Sequence, residues 1–167
     1  INAGAGNDYI SGDLRSSTTV LAGAGNDTIE NWSGSGVIMN AGDGTDIVSL
    51  RSYMSTSNAG NNTIIGGGGN DTVYMNSNTT VGNIFHYADG DGSDVVIGFT
   101  QYDTLHLTSG SISGASVSGN DVILKIGSGS ITLKDMKGTA FNFKTGNGSV
   151  ITKEVPGMEN YDEEGRM

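Results

Sequence analysis

Five aspartates recur in one local setting. Asp8, Asp27, Asp46, Asp71 and Asp94 each close a glycine-alternating turn, and each stands two residues before an Ile or Val. The turns read Ala3-Gly4-Ala5-Gly6-Asn7-Asp8, Ala22-Gly23-Ala24-Gly25-Asn26-Asp27 and Ala41-Gly42-Asp43-Gly44-Thr45-Asp46. Two more follow, Gly66-Gly67-Gly68-Gly69-Asn70-Asp71 and Asp89-Gly90-Asp91-Gly92-Ser93-Asp94. Glycine at the second and fourth positions permits positive φ and leaves backbone carbonyls uncovered by any Cβ. Each turn therefore offers carboxylate and carbonyl oxygens, the donors of a hard cation such as calcium, which takes six to eight of them. One turn cannot supply that many. Two stacked turns can.

Catalysis is a poorer use of the same residues, because an active site needs one asymmetric constellation and not five copies. The chain has no cysteine and only two histidines, His86 and His106. Neither sits in a ligand-spaced cluster, so both are expected at ordinary strand positions. No H-E-x-x-H, G-x-S-x-G or G-x-G-x-x-G stretch occurs. Asp89-x-Asp91-x-Ser93 resembles the start of an EF-hand loop, but its twelfth position is Thr100 and no flanking helices are visible.

The elements that position these turns follow from the spacing. The first three turns begin at Ala3, Ala22 and Ala41, a repeat of 19 residues, and such a fixed period marks a stacked architecture. Each aspartate leads into a short apolar strand. A second strand per coil is centred near Val20, Ile38, Ile64 and Phe85, and two places before these stand Thr18, Gly36, Asn62 and Asn83, never Asp. The reading is a coil of two strands and two turns, acidic on one side only. Ile10, Val20, Ile29, Ile38, Val48, Ile64, Val73, Phe85, Val96 and Leu105 are expected to stack inward as a thin core. The longer spacing from Asp46 to Asp71 places an insertion around Arg51–Ser57.

The five turns resemble the RTX (repeats-in-toxin) nonapeptide G-G-x-G-x-D-x-U-x, in which U is a large apolar residue. The resemblance covers about residues 1–105. It implies an all-β fold, a parallel β-roll (β-solenoid), with calcium between equivalent turns of adjacent coils. It assigns Asp8, Asp27, Asp46, Asp71 and Asp94 as carboxylate ligands. It adds the carbonyls of Gly4, Gly6, Gly23, Gly25, Gly42, Gly44, Gly67, Gly69, Gly90 and Gly92. Five turns leave four intervals, hence up to four calcium ions. Ala3, Ala22, Ala41 and Asp89 depart from the Gly that the family prefers at the first position. Asp103, nine residues after Asp94, resembles the degenerate turn that ends such arrays.

Beyond Thr104 the pattern changes to antiparallel hairpins. Asp121–Ile126 and Ser130–Lys134 flank Gly127-Ser128-Gly129, and Phe141–Phe143 and Ser149–Thr152 flank a turn containing Asn147-Gly148. A solenoid end needs a cap, so the expected division is a β-roll over 1–103, a C-terminal antiparallel β cap over 104–153 and an acidic mobile tail over 154–167. Charge follows the same division. Residues 1–103 hold eleven acids and two bases, residues 104–153 two acids and five lysines, and residues 154–167 five acids and one base.

The net charge of −10 argues against nucleic acid or an anionic membrane as a partner, and no apolar run is long enough to span a membrane. Ile1 at the start, with no signal-peptide pattern, reads as a fragment of a larger protein. The expected function is a non-catalytic, calcium-dependent folding module of a secreted bacterial protein, extracellular or at the cell surface. By resemblance its parent leaves through a type I secretion apparatus. Two alternatives remain: an accessory module of a secreted enzyme whose catalytic domain lies upstream, and an adhesive or ice-binding solenoid with a protein or glycan target.

Overall fold

The computed structural model describes residues 1–51, 60–75 and 80–153. The insertion expected within Arg51–Ser57 lies outside these residues except for Arg51, and the expected tail, 154–167, lies outside them entirely.

All described secondary structure is β, arranged as a parallel solenoid closed by antiparallel strands. One sheet stacks β1 (Asn2–Ala5), β3 (Thr19–Ala24), β5 (Ile38–Gly44), β7 (Thr63–Gly69), β9 (Ile84–Tyr87) and β11 (Thr104–Leu107) in parallel. The other stacks β2 (Tyr9–Gly12), β4 (Thr28–Asn31), β6 (Ile47–Leu50), β8 (Thr72–Tyr74) and β10 (Ser93–Ile97). Each coil crosses once through each sheet. Strand side chains alternate in and out, so one apolar residue in two faces the interior.

That parity decides the core. Val20, Met39, Ile64, Phe85 and Leu105 stack in the first sheet, and Ile29, Val48, Val73 and Val96 in the second, all fully buried. Ile38, expected inside, is 43 % exposed, and Met39 takes its place. The reason is register: Met39 lies seven residues before Asp46, as Val20 lies before Asp27 and Ile64 before Asp71, and it pairs with both. Greater hydrophobicity at Ile38 cannot overcome a one-residue slip that would invert the whole strand. Ile10, in the terminal coil, is half-buried against the core.

The C-terminal strands extend both sheets. β14 (Gly129–Leu133) pairs in parallel with β10, and β13 (Asp121–Ile126) and β12 (Ile112–Ser118) follow it antiparallel. β15 (Phe141–Thr145) pairs in parallel with β11, and β16 (Ile151–Lys153) folds back on it. Both expected hairpins are therefore present. Only the outermost pairs, β12–β13, β13–β14 and β15–β16, run antiparallel, and the sheets run through unbroken.

Candidate metal centre

The turns from the first sheet to the second bring Asp8, Asp27, Asp46, Asp71 and Asp94 into one row. The residues that follow them pair coil by coil, Tyr9 with Thr28, Thr28 with Ile47, and onward to Thr72 and Val95. Within the row, one carboxylate oxygen of each coil accepts the backbone N–H of the aspartate one coil earlier. The distances are 2.7 Å for Asp8 to Asp27, 2.7 Å for Asp27 to Asp46, 2.9 Å for Asp46 to Asp71 and 3.0 Å for Asp71 to Asp94. The other oxygen, Oδ2, is buried and unpartnered in all five residues. Asp27, Asp46, Asp71 and Asp94 are at most 1 % exposed.

A second ladder runs outside the first and in the opposite sense. Asn7 Oδ1 accepts from Asn26 N, Asn26 Oδ1 from Thr45 N, and Asn70 Oδ1 from Ser93 N. Each side chain there reaches one coil forward, whereas the aspartates reach one coil back.

The glycines shape the cradle. All ten glycines expected to supply carbonyls have positive φ, between 98° and 149°. A Cβ on Gly23, Gly42 or Gly67 would overlap the carbonyl oxygen of Gly4, Gly23 or Gly42 in the coil before. Gly25, Gly44, Gly69 and Gly92 stand in the same relation to Gly6, Gly25, Gly44 and Gly69. Gly4 and Gly6 have no coil before them, and among the rest Gly90 is the exception, because nothing lies within 4 Å of where its Cβ would be. It stands outside the stack.

Electrostatics make the row unstable as bare carboxylates. Burial pushes Asp46 up, Asp71 to about 6 and Asp94 to about 8; hydrogen bonds from the backbone N–H of the preceding aspartate oppose the rise, and neighbouring carboxylates add to it. Strands sit about 4.8 Å apart, where two like charges repel by roughly 3 kcal/mol at an effective dielectric near 20. A hydrogen bond to a charged group returns about 1.5–3 kcal/mol, which offsets one such repulsion and leaves the next. Five buried, unpartnered oxygens beside stacked carbonyls make a donor set of hard oxygens, the set that calcium prefers. The residues fit the ion.

On the opposite side the turns carry a different row. Val37 N donates to Asn62 Oδ1 at 3.0 Å, Asn62 N to Asn83 Oδ1 at 3.1 Å and Asn83 N to Asp103 Oδ1 at 2.7 Å. Asp103 Oδ2 accepts from Thr100 N and Oγ1, both at 2.9 Å. Asp103 thus ends this amide ladder, far from the acidic row, with both oxygens engaged. Burial raises its pKa.

His86 and His106 are neighbours across β9 and β11, with His86 Nε2 3.2 Å from His106 Nδ1 and His106 Nε2 2.8 Å from the Gly146 carbonyl. Sequence spacing hides that pairing, which only the 20-residue coil spacing reveals. Among the described residues, no three or more His, Asp or Glu side chains gather as a metal cluster, so an ion in the aspartate row draws most of its oxygens from backbone carbonyls.

Residues 1–14, 19–38 and 56–77 match the RTX calcium-binding nonapeptide repeat, in 4 copies. No curated protein matches the chain. Among solved structures, the chain is similar to the extracellular lipase LipA from Serratia marcescens, with a TM-score of 0.54 and 24% sequence identity. That likeness covers 69% of this chain and 18% of the lipase, and it is one of fold.

Proposed function

From a chain that carries RTX calcium-binding nonapeptide repeats in a parallel β-roll, we propose a calcium-driven folding module, itself non-catalytic, of a secreted protein. The observation that carries this reading is the row of five buried, unpartnered Asp Oδ2 atoms. Asp8, Asp27, Asp46, Asp71 and Asp94 hold the ions, one per interval and up to four in all. The carbonyls of Gly4, Gly6, Gly23, Gly25, Gly42, Gly44 and Gly69, which lie against the coil that follows, complete the shells. Bound calcium neutralises the row and cross-links adjacent coils.

The switch follows from mass action. Without calcium the acidic segment repels itself and the thin core cannot hold the coils. A ligand that binds only the folded state stabilises it by its binding free energy. Extracellular calcium modules bind at about 10⁻⁴–10⁻³ M, so the chain stays unfolded where calcium is scarce and folds where it is millimolar. That property suits a protein exported unfolded through a type I secretion apparatus to the medium or cell surface.

The test is a calcium titration of chelator-treated protein followed by far-UV circular dichroism, with magnesium as control. The expected result is a cooperative coil-to-β transition in calcium alone. A complete β spectrum in chelator, unchanged by calcium, sinks the reading.

A further inference from the structure

The fifth turn is built unlike the four before it. Six residues separate the inward strand residue from the aspartate in the earlier coils, from Val20 to Asp27, Met39 to Asp46 and Ile64 to Asp71. Eight separate Phe85 from Asp94. The two extra residues displace Gly90 from the stack, and they admit a large side chain where the earlier coils allow only small ones. In register, Tyr87 stands where Ala22, Ala41 and Gly66 stand. At Gly66 even a Cβ would lie 2.5 Å from Asp71 Oδ2.

Tyr87 is fully buried, and its hydroxyl donates to the Gly92 carbonyl at 2.5 Å. Ser130 N donates to the same oxygen at 2.9 Å, so both lone pairs are engaged. The carbonyl points toward the cap, since a Cβ on Gly129 would overlap it. Across this interval Asp94 pairs with Ile131, where every earlier interval sets aspartate on aspartate. Asp94 nevertheless keeps a buried, unpartnered Oδ2.

We propose that the Tyr87 hydroxyl plugs the cap end of the row: it takes the place of the next cation, so the fifth turn meets an ion only on its inner side. This rests on the cation reading of the row. It makes Tyr87 the residue that sets the ion count, and it lets the cap dock without a metal.

The experiment counts ions by native mass spectrometry of the full chain in millimolar calcium. The unaltered protein should carry at most four. Tyr87→Leu, which matches Leu107 at the same register in the next strand, should carry one more, held by Asp94 and the freed Gly92 carbonyl. A fifth ion in the unaltered protein overturns the proposal, as does an unchanged count in a Tyr87→Leu variant that still folds in calcium. Should Tyr87→Leu not fold, Asp94→Asn and Asp46→Asn decide the matter. With the plug, Asp94→Asn loses one ion and Asp46→Asn, between two intervals, loses two; equal losses refute it. An unaltered protein that binds no calcium fails the cation reading itself, a separate result.

Discussion

The two rows of turns solve one problem with different chemistry. Each must tie a coil to the next through a buried side chain that accepts a backbone N–H from the neighbouring coil. On one side that side chain is aspartate, and its second oxygen is left without a partner in every coil. On the other it is Asn62, then Asn83, then Asp103, whose second oxygen is satisfied by Thr100. An amide is neutral, so a ladder of amides accumulates no charge and needs no counterion. A ladder of carboxylates does. The acidic row is conditional on its environment, and the amide row is permanent.

Substitutions should separate the two. The largest effect is expected at Asp46, which faces two intervals. Asp46→Ala should cost about 3–5 kcal/mol, as removal of one member of a buried charge network does, and should raise the calcium midpoint of folding more than tenfold. Circular dichroism against calcium measures it; a midpoint within threefold of the unaltered protein breaks the comparison.

Next come two glycines with the same φ of 98°. Gly67→Ala drives a Cβ into the Gly42 carbonyl as well as straining the backbone, and should cost about 3–5 kcal/mol. Gly90→Ala meets only the strain, about 1–2 kcal/mol. Denaturant unfolding in saturating calcium should rank them in that order.

Asn83→Ala, in the amide row, should cost about 1–3 kcal/mol by orphaning the Asn62 N–H. Added calcium should not rescue it.

The smallest effect is on pH. Asp71 and Asp94 titrate near 6 and 8 in the metal-free fold, above their ordinary carboxylate values. Their contribution to the metal-free fold is present below the ordinary carboxylate range and is lost as pH rises through 6 and 8. Calcium must displace those protons, so its affinity should rise over the same window. Dichroism in chelator should weaken from pH 5 to 8, while the calcium midpoint falls.

Much of this was legible in the residues. The aspartate row, its glycines and both cap hairpins are written in local spacing, because a turn and a hairpin depend on a few adjacent residues. What the spacing hides is whatever depends on the stack. Met39 faces inward instead of Ile38 because of seven residues counted back from Asp46, not because of its own character. Asn62 and Asn83 show two places before Ile64 and Phe85, but Asp103 joins their row only through the pairing of β9 with β11, whereas its count from Asp94 suggests the acidic row. Tyr87 carries no signal of its own in the sequence, and Asp89 takes the first position of the fifth turn until register moves that position to Tyr87.

The forward-reaching outer ladder is broken at one rung. Asn7, Asn26 and Asn70 each accept from the next coil, but the residue that should reach Asn70 is Thr45, which has no amide. If the molecule is pulled along its axis, the coils bear the load in series and the weakest junction sets the yield force. At the broken rung backbone pairing compensates, since β5 and β7 pair from Ile38 with Thr63 through Gly44 with Gly69. The shorter register of β7 with β9, from Thr63 with Ile84 through Ile65 with His86, makes the fourth and fifth coils the first to part.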